Sequence, residues 1–206
     1  DGALEHLDGV GIRLRKGCCE NVIEGNRVHH IGASGIMVGE DLSSFAWGKA
    51  TVPDAEIPRR NRVANNHVTA CGLEDFGAVG IWAAFTEGTT IAHNLVHSLP
   101  YTGISVGFRW DEVPTTCRAN VVEYNHVYDV LNVLCDGGCI YTLGLQPETV
   151  LRGNLLHDAN RSAVAHGAPN NGIFFDQGSK GFLVEGNVIY ATSGEPVRFN
   201  QCRCEW

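Results

Sequence analysis

The sequence predicts an all-β fold, a parallel β-helix, as one single-stranded solenoid domain of about six to seven coils over residues 1–206. Three observations predict it. A template of apolar, two residues, Asn, one residue, apolar, then His, Tyr or Thr occurs six times. A second template, a small residue followed by Ile and alternating side chains, also occurs six times and interleaves with the first. The Asn-to-Asn spacings are 40, 28, 31, 29 and 33 residues, with no stretch of helical period and length between copies.

Taken along the chain, Gly11-Ile12-Arg-Leu14 is the first alternating run, and Ile23-Glu-Gly-Asn26-Arg-Val28-His29 the first Asn template. Gly35-Ile36-Met-Val38 and Val63-Ala-Asn-Asn66-His-Val68-Thr69 follow, then Gly80-Ile81-Trp-Ala83 and Ile91-Ala-His-Asn94-Leu-Val96-His97. The series continues with Gly103-Ile104-Ser-Val106, Val122-Glu-Tyr-Asn125-His-Val127-Tyr128, Cys139-Ile140-Tyr-Thr142 and Leu151-Arg-Gly-Asn154-Leu-Leu156-His157. Gly172-Ile173-Phe-Phe175 and Val184-Glu-Gly-Asn187-Val-Ile189-Tyr190 close it. Units of roughly 25–30 residues with about three short strands are too short for four-stranded propeller blades and lack the helix pair of a helical repeat. Alternation sends Ile12, Leu14, Ile36, Val38, Ile104 and Val106 into a common interior. The repeated Asn is expected at a sharp bend, where it tolerates left-handed backbone and its amide bonds one coil to the next. The ring position behind it (His29, His97, Tyr128, His157, Tyr190) reads as an outward stack, and neither a metal nor a cofactor is expected.

Composition agrees with this architecture and narrows the function. The 206 residues include 25 Gly, 21 Val and 15 Asn; the glycines have no three-residue period, which excludes collagen. An apolar fraction of 44% excludes a wholly disordered chain. Three lysines against 12 arginines, at net charge −8, argue against nucleic acid or an anionic membrane surface as partner. No apolar run reaches the roughly 20 residues that span a bilayer. Asp1 reads as the start of a trimmed or processed chain, a segment of a longer solenoid, with a secreted or periplasmic location.

In a solenoid the loops carry binding. Three segments exceed the basic coil, 39–60, 107–119 and 159–171, and are expected to leave the same sector or its neighbours and to wall one side of an elongated groove. Trp47, Trp82, Trp110, Tyr141 and Phe174 are expected to be exposed, with flat faces for sugar rings, or alternatively to cap the core beneath the loops. Arg109 and Asp111 in the second loop, and His157 near the third, complete the candidate substrate-binding set. The partner chemistry expected is a polysaccharide or oligosaccharide, with homo-oligomers through the solenoid ends as a further possibility.

Asp136 in Cys135-Asp-Gly-Gly and Asp176 in Phe-Phe175-Asp-Gln-Gly-Ser179 lie on successive coils. Two carboxylates are the equipment of glycoside hydrolysis: one protonates the leaving oxygen and the other attacks, or activates water, at the anomeric carbon. Each also stands where an aspartate shapes a turn. On straight strands they lie roughly seven residues, about 20 Å, apart along the coil, so the pair requires a bend at Gly137-Gly138. The eight cysteines follow neither the repeat nor a paired zinc spacing, which leaves disulfides and interior thiols both open.

Gly32-Ala-Ser-Gly-Ile-Met-Val-Gly-Glu40, Pro100-Tyr-Thr-Gly-Ile-Ser-Val-Gly107, the Asp136–Gly144 stretch and the Gly172–Ser179 stretch appear in this order in right-handed parallel β-helix proteins. The chain resembles those related to glycoside hydrolase family 141, which includes fucosidases and xylanases, from about Gly11 to Val197. The resemblance implies a right-handed coil and a catalytic pair at Asp136 and Asp176; Gln177 stands where relatives carry an acidic residue. It implies a secreted or periplasmic glycoside hydrolase. A glycan-binding or self-assembling module without catalysis, and a polysaccharide lyase, are the alternative expectations.

Overall fold

The computed structural model describes residues 2–40 and 53–202. The chain is a right-handed parallel β-helix with three parallel sheets running along the solenoid. Ala3–Leu7, Arg27–Ile31, His67–Cys71, Leu95–His97, His126–Val130, Leu155–Ala159 and Val188–Thr192 form the first sheet. Ile12–Leu14, Ile36–Gly39, Ile81–Ala84, Ile104–Gly107, Gly138–Thr142, Asn171–Phe175 and Val197–Phe199 form the second. Val22–Glu24, Arg62–Ala64, Thr90–Ala92, Val121–Glu123, Leu145–Arg152 and Lys180–Glu185 form the third.

Every coil visits the sheets in the same order, so equivalent side chains stack. Ile12, Ile36, Ile81, Ile104, Ile140, Ile173 and Val197 form one unbroken interior column on the second sheet. Full burial of each such side chain contributes about 1.5–3 kcal/mol. The glycine before the strand Ile has a steric reason: a Cβ on Gly35, Gly80 or Gly103 would lie 2.7, 2.7 or 2.8 Å from a carbonyl oxygen of the next coil. Cys71, Cys117 and Cys139 are buried among these columns, and burial pushes each thiol up to about 12. Of the two cysteine readings, interior thiols hold for these three.

The asparagine ladder forms at the bend between the third and first sheets. Asn26, Asn66, Asn94 and Asn125 each donate a backbone N–H and a side-chain N–H to the Oδ1 of the next coil's Asn, at 2.9–3.1 Å. Asn154 does the same to Asn187. The second amide hydrogen reaches a backbone carbonyl of the preceding coil, as in Asn94 to Val63 and Asn125 to Ile91. The backbone, however, differs from the sequence expectation. Positive φ falls on the residue before the Asn: Gly25, Asn65, His93, Tyr124, Gly153 and Gly186. The Asn supplies the amide, and its neighbour turns the chain.

The outward face of the first sheet carries a stack of rings. His97, Tyr128, His157 and Tyr190 lie face to face with centroids 4.7, 5.1 and 4.7 Å apart. His67 meets His97, and His126 meets His157, each through Nε2···Nε2 contacts of 2.8 Å. Such a contact needs one protonated and one bare nitrogen, so both rings of a pair cannot be charged. Burial, then neighbouring positive groups, hold His67, His97 and His126 below the usual imidazole range.

Two outcomes follow. Asn125→Ala strips both donors and the acceptor from a buried bend and should cost about 2–4 kcal/mol in urea unfolding, with Asn26→Ala, at the half-buried edge of the ladder, costing less. Histidines with depressed native pKa stabilise fully above the unfolded value of about 6.5 and lose that contribution as pH falls. Melting temperature should therefore drop below about pH 6.5. His67→Leu/His126→Leu, which matches Leu95 and Leu155 in the same column, should flatten that drop.

Candidate functional site

The outer face of the second sheet is the candidate surface. Its central column runs Arg13, Met37, Trp82, Ser105, Tyr141, Phe174, Arg198, in register across seven strands. Loops leave both ends of its strands, which corrects the expectation that they wall one side. Segments 39–60 and 107–119 leave strands of the second sheet, whereas 159–171 leaves the first sheet and enters the second. Residues 41–52 of the first segment, Trp47 among them, lie outside the described residues.

The expected row of exposed aromatics is corrected at two positions. Trp82 is 4% exposed, packed with Val79, Ala84 and Phe85 and covered by Phe108 at 5.2 Å. Phe174 is 0% exposed, held between the edge of Tyr141 at 5.3 Å and the Arg198 guanidinium at 5.4 Å. Apolar area this large on a sheet face is stabilised by covering it, and the flanking side chains do so. Trp110 is half-buried against Phe108, and Tyr141 is half-buried. Arg109 donates from Nε and Nη2 to the two carboxylate oxygens of Asp111, the Nη2 contact at 2.6 Å, and the pair draws the Asp111 carboxyl below its ordinary range. The same loop packs on the turn after Asp176: a Cβ on Gly178 would come within 2.4 Å of the Asp111 backbone. His157 belongs to the first sheet's ring stack and is a different face from the aspartates.

Asp136 and Asp176 stand at opposite ends of two neighbouring strands of the second sheet, Asp136 ahead of Gly138–Thr142 and Asp176 behind Asn171–Phe175. Asp176 follows the strand Asn171–Phe175 and is 6% exposed. The Tyr141 hydroxyl donates to its Oδ2 at 2.6 Å, and the Asn200 amide to its Oδ1 at 2.7 Å. Asp136 enters ahead of the strand Gly138–Thr142 with φ +65°, so the bend falls on the aspartate itself, one residue before Gly137-Gly138. Its carbonyl accepts from the Tyr101 hydroxyl at 2.8 Å, and the residue as a whole is exposed. Desolvation, then the charge of Asp176, hold the Asp136 carboxyl above the usual carboxylate range, with Arg198 opposing. Burial and the Asp136 charge push the Tyr101 phenol up to about 12. Burial and the hydrogen bond to Asp176 push Tyr141 well above the phenol range. Both phenols are therefore protonated donors at neutral pH.

Tyr101, Arg198 and Asn200 were not among the sequence candidates. Tyr101 sits in Pro100-Tyr-Thr-Gly103, a stretch singled out only for its glycine and Ile. Val197-Arg198-Phe199 is a seventh copy of the second template, hidden because Pro196 and Val197 replace Gly and Ile. Among the described residues no group of three or more His, Cys, Asp or Glu is arranged to hold a metal ion.

Comparison with known proteins bears on the fold. The family model described as right handed beta helix region matches residues 6–189. No curated protein matches the chain. Among solved structures, one titled glycoside hydrolase superposes with TM-score 0.76 at 23% identity, covering 97% of this chain and 35% of its own length. XylC, solved in complex with xylose, superposes at 0.51 and 13% identity, covering 84% of this chain and 20% of its own. The alginate lyase from Paenibacillus sp. str. FPU-7 superposes at 0.50 and 12% identity over 98% of this chain and 80% of its own. The chain thus spans about a third of the glycoside hydrolase it resembles.

A carboxyl raised in the folded state is neutral at no cost below the ordinary carboxylate range and weakens the fold as pH rises through its raised value. Asp136→Asn should accordingly melt higher than wild type at pH 7, and the two should converge below about pH 4 in matched thermal scans.

Proposed function

Starting from a chain that belongs to the right-handed β-helix family, we propose that it is a carbohydrate-active protein that hydrolyses a glycosidic bond across Asp136 and Asp176. The observation that carries this reading is the contrast between the two carboxyls. Asp136 is held above its ordinary range on the open side, while Asp176 is fixed by a donor on each oxygen. Divergent surroundings are how paired carboxyls divide acid and base work.

In the proposed step Asp136 gives its proton to the glycosidic oxygen as the bond to the anomeric carbon breaks. The Asp176 carboxylate meets the developing positive charge, attacking the carbon itself or taking a proton from the water that attacks. Water supplies the hydroxyl that ends on the anomeric carbon, and its proton returns to the pair. Tyr141 and Asn200 fix the direction of Asp176, and Tyr101 fixes the turn that carries Asp136. Arg109 and Asp111 clamp the loop beside Asp176. The narrower resemblance to glycoside hydrolase family 141, and a secreted or periplasmic location suited to a polymeric substrate, are parts of the same proposal. The titles of the glycoside hydrolase and of the XylC–xylose complex support the carbohydrate class.

For hydrolysis, fucosyl and xylosyl substrates should lose at least about a hundredfold in kcat/KM with Asp136→Asn and with Asp176→Asn. Tyr141→Phe, which removes one charge-assisted hydrogen bond, should lose about tenfold or more. Equal rates for wild type and both Asn variants would remove the assignment.

A further inference from the structure

We propose that the ring stack of the first sheet holds two sites for a divalent transition cation, Cu²⁺ before Ni²⁺ and Zn²⁺. The ligands are the Nε2 atoms of His67 with His97, and of His126 with His157. These pairs lie on a different sheet from the aspartates, and their role is independent of the hydrolase reading.

The same arrangement occurs twice among the described residues. His67 stands in register with Leu95, and the imidazole it meets is His97, two residues further along that strand. His126 stands in register with Leu155 and meets His157 in the same diagonal way. All four rings are half-buried on the outer face, while Val68, Val96, Val127 and Leu156 between them turn into the core. Leu95 and Tyr128 occupy the step between the pairs, so one pair follows the other after two coils.

Spacing, tautomer and charge all suit these nitrogens to a metal. In each pair the two Nε2 atoms are 2.8 Å apart. Neighbouring corners of a square-planar cation with bonds of about 2.0 Å are about 2.8 Å apart, whereas tetrahedral zinc needs about 3.3 Å. The outer partners then fix which nitrogen is bare. His157 Nδ1 donates to Asp158 Oδ2 at 2.8 Å. His97 Nδ1 donates to Ser98 Oγ at 2.9 Å, and that hydroxyl donates its own hydrogen to Asp129 Oδ2 at 2.8 Å. A carboxylate behind Nδ1, direct in one pair and relayed in the other, is the support that orients a histidine ligand and leaves Nε2 free. Asp129 and Asp158 occupy the same left-handed position of successive coils, both at φ +50°. Burial, then neighbouring positive groups, keep His67, His97 and His126 neutral, the form that ligates. On binding, the proton that bridged a pair moves to the Nδ1 of its own ring, and each Nε2 gives its lone pair to the cation. Among the described residues neither pair has a third His, Cys, Asp or Glu placed as a ligand, so water completes the coordination.

The test titrates the purified, tag-free chain with copper(II) chloride and with zinc chloride, its accessible thiols first blocked with iodoacetamide so that they neither bind nor reduce copper. Calorimetry should count two Cu²⁺ sites per chain, with Zn²⁺ at least about tenfold weaker. Electron paramagnetic resonance should show imidazole nitrogen couplings. At full loading the signal should also broaden by dipolar coupling, because two coils separate the sites by about 10 Å. His67→Leu should remove one site and His126→Leu the other, each abolishing the broadening, and the double variant should bind at neither. These substitutions repeat Leu95 and Leu155 of the same column. If circular dichroism shows that a Leu variant misfolds, His97→Tyr and His157→Tyr, which repeat Tyr128 and Tyr190, take its place. Two sites lost one per variant support the proposal. A wild type without two such sites, Zn²⁺ held as tightly as Cu²⁺, single variants that lose neither site or both, or copper retained by the double variant overturns it.

Discussion

Everything in this molecule depends on coil-to-coil register, and the asparagine ladder is the interaction that sets it. Each ladder Asn accepts two donors from one neighbouring coil and returns an amide hydrogen to a strand carbonyl. Backbone pairing alone tolerates slippage, because every strand offers the same donors and acceptors. An amide that must meet its equivalent one coil away does not. Once the ladder is in place, equivalent residues sit about 4.8 Å apart, and the fold becomes a set of columns.

Columns explain why the chemistry gathers where it does. The strip above the second sheet is assembled from residues 24 or more positions apart in the chain, Tyr141 with Asp176 and Asp176's partner Asn200 on the coil after it. The same rule makes the first sheet a stack of imidazoles and phenols, with spacings set by the coil pitch and not by any ligand. Loops supply what columns lack. A left-handed turn before a strand carries Asp136, and the 107–119 loop closes on the turn after Asp176.

Architecture was more legible in the sequence than the site. The two templates repeat often enough that their copies identify each coil, and the interior Ile column follows from alternation alone. The bend was read one residue late, since Asn tolerates left-handed backbone and hides the fact that its neighbour adopts it. The aspartates were visible through their turn-like surroundings, and the left-handed residue of that segment is Asp136 itself, one position before the glycines. Exposure was the weak point: Trp82 and Phe174 point outward by alternation, yet the loops and Arg198 bury them, and no local pattern reports what covers a sheet. Arg198 and Asn200 escaped notice because Pro196 breaks the template that would have marked their strand.

The buried sulfurs give this solenoid an internal gauge. Cys71, Cys117 and Cys139 belong to different coils, and with thiols held near 12 they present almost no thiolate to an alkylating reagent while their coils stay closed. Each becomes reactive only when its own stretch of the stack opens. Order of labelling along the axis would therefore read out whether the stack frays from an end or parts in the middle, without any probe being added to the chain.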